Sequence, residues 1–367
     1  MRLVKMWVCL VMVPIALFFG LRNRGGSSAN DVLWLPGSRA IRFQNSGIAY
    51  VGDLRAVRLD RQPWPLTIEM AATPASSQKS GFSPILVMND GADRRQLAIW
   101  QYGPSLIVMN GDDYDNGRRQ PRVVGRNAFA PRQTRYLTVT SGDQGTRLYI
   151  DGILADAKGD WKLSLPVEGN PLRLVLGHSV YGKHGWRGDI QGVAISGEAL
   201  SAEVVKRRYD LWAADRTFDF LKQAPTKLLF TFNRKTDAGF VDESGGNQTL
   251  EIPDRMTALK KTVLAPAWRH LHWSRAVAAD VVVNVVGFMP LGIVFYGLLQ
   301  GFSGPIVRHK HLLAVILCML LSLGIELAQA WVPTRSSSLL DLILNTFGAW
   351  LGIAAWKGIA RREKAKG

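Results

Sequence analysis

The stretch "SLGIELAQAWVPTRSSSLLDLILNTFGAW", residues 322–350, joins two apolar runs through a short polar turn. Glu326, Gln329, Arg335, Asp341 and Asn345 lie in or beside those runs. A charge surrounded by apolar groups is expensive unless it is paired or hydrogen-bonded. The stretch therefore reads as two membrane helices that turn their polar side chains toward each other.

Working outward, four segments approach the roughly 20 apolar residues needed to cross a bilayer. They are 3–21, 280–300, 311–332 and 339–359. The first is followed by "RNRGGSSAND" and lacks an A-x-A-like cleavage site, so it reads as a retained span rather than a signal peptide. Pro290 is tolerated in a membrane helix when neighbours satisfy the freed carbonyl. Arg308 and Lys310 mark the 301–311 loop as cytoplasmic, and Lys357, Arg361, Arg362, Lys364 and Lys366 mark the C-terminal tail likewise. The bulk of residues 22–279 then lies outside. The expected architecture is a four-span α-helical bundle with an all-β sandwich between spans one and two. Its parts are an N-terminal span at 1–22, an extracytoplasmic sandwich at 30–253, a connector at 254–279, a helical membrane domain at 280–359 and a basic tail at 360–367.

On this layout Asp280 and Asn284, Glu326 and Gln329, and Asp341 and Asn345 each share one face of a helix, by i,i+4 or i,i+3 spacing. Together with Arg335 in the turn they form a candidate polar cup at the outer ends of three helices. Gly287, Gly292, Gly348 and Gly352 are expected to let helices approach closely. Two plainer readings stand beside the cup. The polar groups are interhelical ties, or they are ordinary helix ends, with Ser338 capping span four and Asp341 a favourable first-turn acid.

The 367 residues carry a formal charge of +16. Such a balance invites a nucleic-acid reading, but no helix-turn-helix, zinc spacing or aromatic RNA-binding motif supports it, and nucleic acid is not expected as a partner. The bilayer is. Cys9 and Cys318 both fall in apolar segments, so the polar region has no disulfide framework.

Residues 30–250 alternate in short strand-like runs, including 66–72, 83–89, 96–100, 105–110, 135–142, 146–155, 172–177 and 188–195. Period-two alternation with Gly, Asp and Asn turns predicts an antiparallel sandwich. Asp151–Gly152 is a hairpin-turn signal. Ser201 is the expected N-cap of a helix at 199–212. Trp100, Tyr102, Tyr114, Tyr181 and Trp186 are candidates to stack on sugars if exposed, with core packing as the alternative. "NDGAD" (89–93) and "NGDDYDN" (110–116) carry oxygen ligands suited to calcium, but they lack the spacing of a calcium loop and read rather as solvated turns. No cofactor or resident metal is expected. In the connector, Trp268 and Trp273 suit a membrane interface. His270 and His272 diverge on a helix and do not suggest a metal site.

Two resemblances follow from these residues. "DVVVNVVGFMPLG" followed by "IELAQAWVPTRSSSLLDLILNTFGAWLG" resembles the VanZ-like membrane protein family over roughly 265–358. Asn284, Phe288 to Gly292, Glu326, Gln329, Arg335, Asp341, Asn345, Gly348 and Ala349 carry it. This chain has Ser336–Ser338 where the family often has a further acid. The resemblance implies a cell-envelope role and a link to glycopeptide resistance. "RYLTVTSGDQGTRLYIDGILA" and "WRGDIQGVAISGEALSAEVV" resemble the laminin-G-like, concanavalin A-like jelly roll. "KLLFTFN…DESGGNQTLEIP", 227–253, looks like a strand that often opens such domains, arriving late in this chain. Two functions follow. One is an envelope protein whose sandwich binds glycan, wall material or protein. The other is a membrane enzyme acting on a lipid-linked or cell-wall substrate through Glu326, Arg335 and Asp341. A transporter is disfavoured, because no inverted repeat is present.

Overall fold

The computed structural model describes residues 14, 17, 29–54, 65–75, 81–90, 96–111, 120–165, 171–182, 184–256, 258–259, 263–266, 275–302, 309–330 and 337–366. The chain divides into two compact units, residues 25–260 and residues 1–24 with 261–367.

The first unit is an antiparallel sandwich. Its larger sheet runs β1 (Val32–Leu35), β2 (Ala40–Phe43), β13 (Gly188–Ser196), β4 (Leu66–Pro74), β9 (Arg135–Gly142), β10 (Gly145–Ile150) and β11 (Ile153–Lys158). The smaller sheet runs β3 (Ala49–Val51), β12 (Arg173–Leu176), β5 (Phe82–Asn89), β6 (Leu97–Tyr102), β7 (Ser105–Asn110) and β8 (Arg122–Gly125). Alternation places Ile68, Met70, Leu86, Met88, Leu137, Val139 and Leu174 between the sheets, with Trp186 among them. A short ribbon of β15 (Lys235–Thr236), β16 (Gly239–Val241) and β17 (Thr249–Leu250) follows.

The late strand, β14 (Thr226–Phe230), pairs with β13 at Val193–Ser196, while β2 pairs with β13 at Gly188–Ile190. One long strand thus serves two neighbours along the same edge. The unit's ends also meet: Ala29 bridges Arg255, and Asn30 Nδ2 donates to Pro253 O at 2.7 Å. Asp151 (φ 52°) and Gly152 (φ 75°) close the β10–β11 hairpin in the left-handed region that the two-residue turn requires. The runs read from the sequence do not include the early strands β1–β3 or the edge strand β8, which have three or four residues each.

The outer face of the larger sheet is covered by α1 (Ala202–Asp215). Ser201 caps it, its side chain accepting from Val204 N. Beneath the helix, fully buried Glu69 accepts from Tyr136 Oη at 2.8 Å and from Arg208 Nη1 at 2.5 Å. Burial holds the Glu69 carboxyl above its usual value, against the pull of Arg208. Burial and the Glu69 charge push the Tyr136 phenol well up. Trp212 and Phe218 pack on Tyr136 at 5.2 and 5.6 Å between ring centres.

His178 is buried just after β12, and burial pushes its imidazole down to about 4 from 6.5. Between those values the unfolded chain binds a proton that the folded chain refuses, so stability falls as pH drops from 6.5 to 4. The loss is of order 3 kcal/mol for the full interval. Thermal melts of the full-length protein at pH 7 and pH 4.5 should show this acid sensitivity, and His178→Asn should shrink it.

The second unit holds α2 (Arg275–Leu299), α3 (Lys310–Gln329) and α4 (Leu339–Lys366). All three are long and apolar enough to cross a membrane. Of the expected first span only Pro14 and Leu17 are described, and Leu17 packs against the cluster of Phe288, Leu291, Cys318, Ile325 and Ala349. The outward surface is apolar, with Val282, Val286, Ile316, Leu320, Phe347 and Trp350 exposed, as a lipid-facing surface requires.

Helices α2 and α4 run parallel in backbone contact. A Cβ on Gly348 would overlap the Val285 carbonyl, one on Gly352 the Met289 carbonyl, and one on Gly292 the Ala349 carbonyl. Gly287, expected to join this seam, faces open space instead. Helix rotation explains the difference: the 285–289–292 stripe turns inward and leaves 287 on the other side. Gly348→Leu should lower the melting temperature in detergent by several degrees, because the obstructing atoms are backbone. Gly287→Leu should leave it nearly unchanged.

Candidate functional site

Two polar arrangements stand out, one in each unit. In the helical unit the start of α4 is the organising point. The first amides of a helix have no partner inside it, and lipid offers none. Ser338 N donates to Glu326 Oε2 at 2.6 Å, Leu339 N to Ala265 O at 2.9 Å, and Asp341 N to Ser338 Oγ at 3.4 Å. Leu264 N donates to Ser337 Oγ and Ala265 N to Ser337 O, so the segment before α2 is pinned to the same place.

Ser338 and Asp341 have capping-box spacing, in which the acid ordinarily reaches back to the cap's own amide. Here Glu326 of α3 takes that amide. The Asp341 carboxylate accepts from Asn284 Nδ2 of α2 at 2.9 Å. One turn further on, Asn345 Nδ2 donates to Ser322 Oγ at 2.9 Å. Three helices are tied by side chains at one end of the unit. Lys310 and Lys357 lie at the other end, Lys310 Nζ donating to Gln300 O at 3.2 Å and Lys357 Nζ sitting 5.1 Å from the Tyr296 ring centre.

Of the residues named from sequence, Glu326, Gln329 and Asn345 are buried, and Asn284 and Asp341 are half-buried. Asp280 is exposed and stands apart, because it precedes the stretch where α2 meets its neighbours. Arg335 lies outside the described residues. Ser322 and Ser337, which supply a side-chain partner and an anchoring turn, were missed: Ser322 lies in an apolar run and Ser337 in a polar turn, and neither setting singles out a serine.

In the sandwich a groove of about 900 Å³ lies where the edge strands β8 and β11 of the two sheets come together. Phe82, Tyr102, Ile107 and Val124 line one side, Arg122 and Arg126 another, and Lys158, Asp160 and Trp161 the far wall. Tyr102 is 48% exposed, and its ring lies 5.0 Å from that of Phe82, which is edge-on to buried Trp100 at 5.9 Å. A smaller recess of about 560 Å³ continues the groove along Arg122, Arg126 and Ala155–Lys158. Asp156 joins the two edges, its Oδ2 accepting from Val124 N at 2.7 Å and its Oδ1 from Ala157 N at 2.9 Å. The 158–161 turn is held by Trp161 N donating to Lys158 O and by Thr146 Oγ1 donating to Trp161 O.

The aromatic candidates divide accordingly. Trp100, Tyr181 and Trp186 are buried and are no stacking platforms. Trp186 packs between the sheets, and its Nε1 donates to Gln101 Oε1 at 2.7 Å; Trp100 and Tyr181 pack in the cluster on the outer face of the smaller sheet. Only Tyr102 is exposed among those described, and Tyr114 lies outside the described residues. Phe82, Trp161, Arg122, Arg126 and Lys158 were missed. The signal available was the Arg-x-x-x-Arg bracket around "VVG" and the "KGDW" turn, but nothing in sequence brings the two together.

The oxygen-rich turns also resolve in part. Asn89 and Asp90 are buried, and Asn110 is committed to Ser164 through both side-chain atoms. Residues 91–93 and 112–116 lie outside the described residues, as do Trp268, His270, His272 and Trp273.

Residues 228–361 match the VanZ/LLP1 family model. Residues 53–206 match the model described as the concanavalin A-like lectin/glucanases superfamily. The chain thus joins a VanZ-like domain to a laminin-G-like, concanavalin A-like sandwich. The VanZ/LLP1 match opens in β14, well before the start at 265 read from sequence. Comparison with curated proteins finds no match.

Solved structures similar to this chain include Trypanosoma rangeli sialidase, at 13% identity and TM-score 0.40, covering 54% of this chain and 33% of that one. A putative carbohydrate binding protein from Bacteroides ovatus is similar at 12% identity and TM-score 0.38, covering 58% and 60%. The binding domain of botulinum neurotoxin DC in complex with SialylT is similar at 11% identity and TM-score 0.37, covering 50% and 45%. In each case this chain spans less than two thirds of the solved structure.

The ties around Ser338 predict distinct outcomes for two substitutions. Glu326→Ala leaves a buried amide unpaired and should lower stability by ~1–3 kcal/mol, read as a lower melting midpoint in detergent and lower membrane abundance. Glu326→Gln retains a carbonyl oxygen for Ser338 N and should lose much less.

Proposed function

We propose that this protein is a membrane-anchored component of the cell envelope whose sandwich binds glycan on the outer side of the membrane. The helical unit, with the first apolar segment as a fourth span, is the anchor. Sidedness follows from the basic residues: the end carrying Lys310 and Lys357 faces the cytoplasm, and the end carrying Ser338, Asp341 and Glu326 faces outward. The adjacent ends of the sandwich, at Ala29 and Arg255, suit its insertion between two spans.

The observation that carries the reading is the open groove in which exposed Tyr102 lies beside Phe82. An exposed ring next to polar side chains suits the apolar face of a sugar together with its hydroxyls. The match of residues 53–206 to a lectin and glucanase model supports the same reading. The enzymatic alternative has less support. Glu326, its candidate acid, is spent on a helix-end amide, and Asp341 on Asn284.

The full-length protein in detergent, tested on an array of envelope-type oligosaccharides, should bind saturably. Tyr102→Ala should weaken that binding about tenfold, equivalent to ~1.4 kcal/mol, with an unchanged melting temperature. Binding that ignores Tyr102 would move the site elsewhere; no binding to any saccharide would remove the reading.

A further inference from the structure

The groove wall is more specific than its aromatic floor. Arg122 lies on β8, Arg126 just past it, and Lys158 at the end of β11 on the opposite edge, so three cations converge from two sheets. All three also line the recess that prolongs the groove. Two acids are near. Asp156 accepts from Val124 N across the seam and from Ala157 N on its own strand, so of the described acids Asp160 remains on the wall. Arg122 donates through Nε to Gln120 O at 3.2 Å, which fixes its guanidinium in place. Among the described residues neither Arg126 nor Lys158 has a carboxylate partner, unlike Arg39, Arg42, Arg135, Lys162, Lys206, Arg208 and Lys222 of the same unit.

A neutral sugar offers this wall only hydroxyl oxygens, which accept weaker hydrogen bonds than an anion does. Guanidinium and ammonium groups bind carboxylate and phosphate oxygens through charge-assisted hydrogen bonds, and clustered like charges are costly until an anion arrives. We propose that the groove selects saccharides bearing an anionic substituent, a carboxylate or a phosphate. The sugar ring lies on Tyr102 and Phe82, and the anion lies between Arg126 and Lys158, with Arg122 behind it. This rests on the glycan-binding reading and adds the substrate class.

The test uses full-length protein in detergent and three probes. The first is an oligogalacturonate; the second is the same oligosaccharide with its carboxyls reduced to alcohols; the third is a phosphorylated oligosaccharide with its dephosphorylated partner. The expected result is at least about tenfold tighter binding of an acidic form than of its neutral partner, a gap that narrows with added salt. The carboxylate and phosphate pairs identify which anion is preferred.

Arg126→Ala with Lys158→Ala should close the gap while leaving neutral binding in place. Arg234→Ala with Lys235→Ala, equal in charge but outside the groove, should not close it. Equal affinity for acidic and neutral forms overturns the inference and leaves glycan binding standing, as does a gap that survives the groove double variant. Tight binding to anionic lipid vesicles without preference among saccharides also overturns it. Binding to none of the saccharides removes both readings.

Discussion

A buried polar group must find a partner, and that constraint shapes both units. In the helical unit it acts at the start of α4, where backbone amides emerge in apolar surroundings. Glu326 reaches across from α3 to take the Ser338 amide. Asp341, relieved of that duty, holds Asn284 of α2. A capping arrangement that would normally be private to one helix is shared among three. The carboxylates that look out of place in the sequence are therefore where the geometry needs acceptors. The seam of Gly348, Gly352 and Gly292 works with it, because only backbone-close packing brings Asn284 within reach of Asp341.

In the sandwich the same constraint appears under α1. Glu69 points away from the core of a sheet whose outer face is covered by the helix, and Arg208 and Tyr136 satisfy it there. Pairing a buried carboxylate this way gives little net stability but fixes where the helix docks. At the opposite seam the two sheets leave unpaired edges, β8 and β11. Asp156 closes part of the gap by accepting from the Val124 amide. The rest stays open as the groove. Edge strands are ordinarily protected by charge; here Arg122, Arg126 and Lys158 both guard the edges and give the groove its character.

The two units differ in what they owe to ligand. The helical cluster meets most of its needs from within: Glu326 takes the Ser338 amide, Asp341 holds Asn284, and Asn345 donates to Ser322, while Asn345 Oδ1 is left without a partner among the described residues. The groove presents an exposed ring, and its Arg126 and Lys158 have no carboxylate partner among the described residues. The difference supports the proposal that the sandwich recognises and the helices anchor.

Much of this was written in the chain. Period-two alternation placed the long strands β4, β5, β7, β9 and β13 within a residue or two, because each has one face buried against the other sheet. Apolar length placed α2, α3 and α4, because membrane thickness sets that length. Asp151–Gly152 and Ser201 announced their turn and cap through backbone geometry that few other residues accept. Local rules cannot reach further. Burial of Trp100, Tyr181 and Trp186 depends on which sheet face each strand presents and what covers it. Gly287 and Gly348 look alike in sequence, and only helix rotation separates them. The partner of Asp341 is 57 positions away, and Arg122 meets Lys158 only because the edges of two sheets converge. Patterns of period and turn chemistry fix elements one at a time. Which side chains share a site is decided by the packing of elements far apart in the chain.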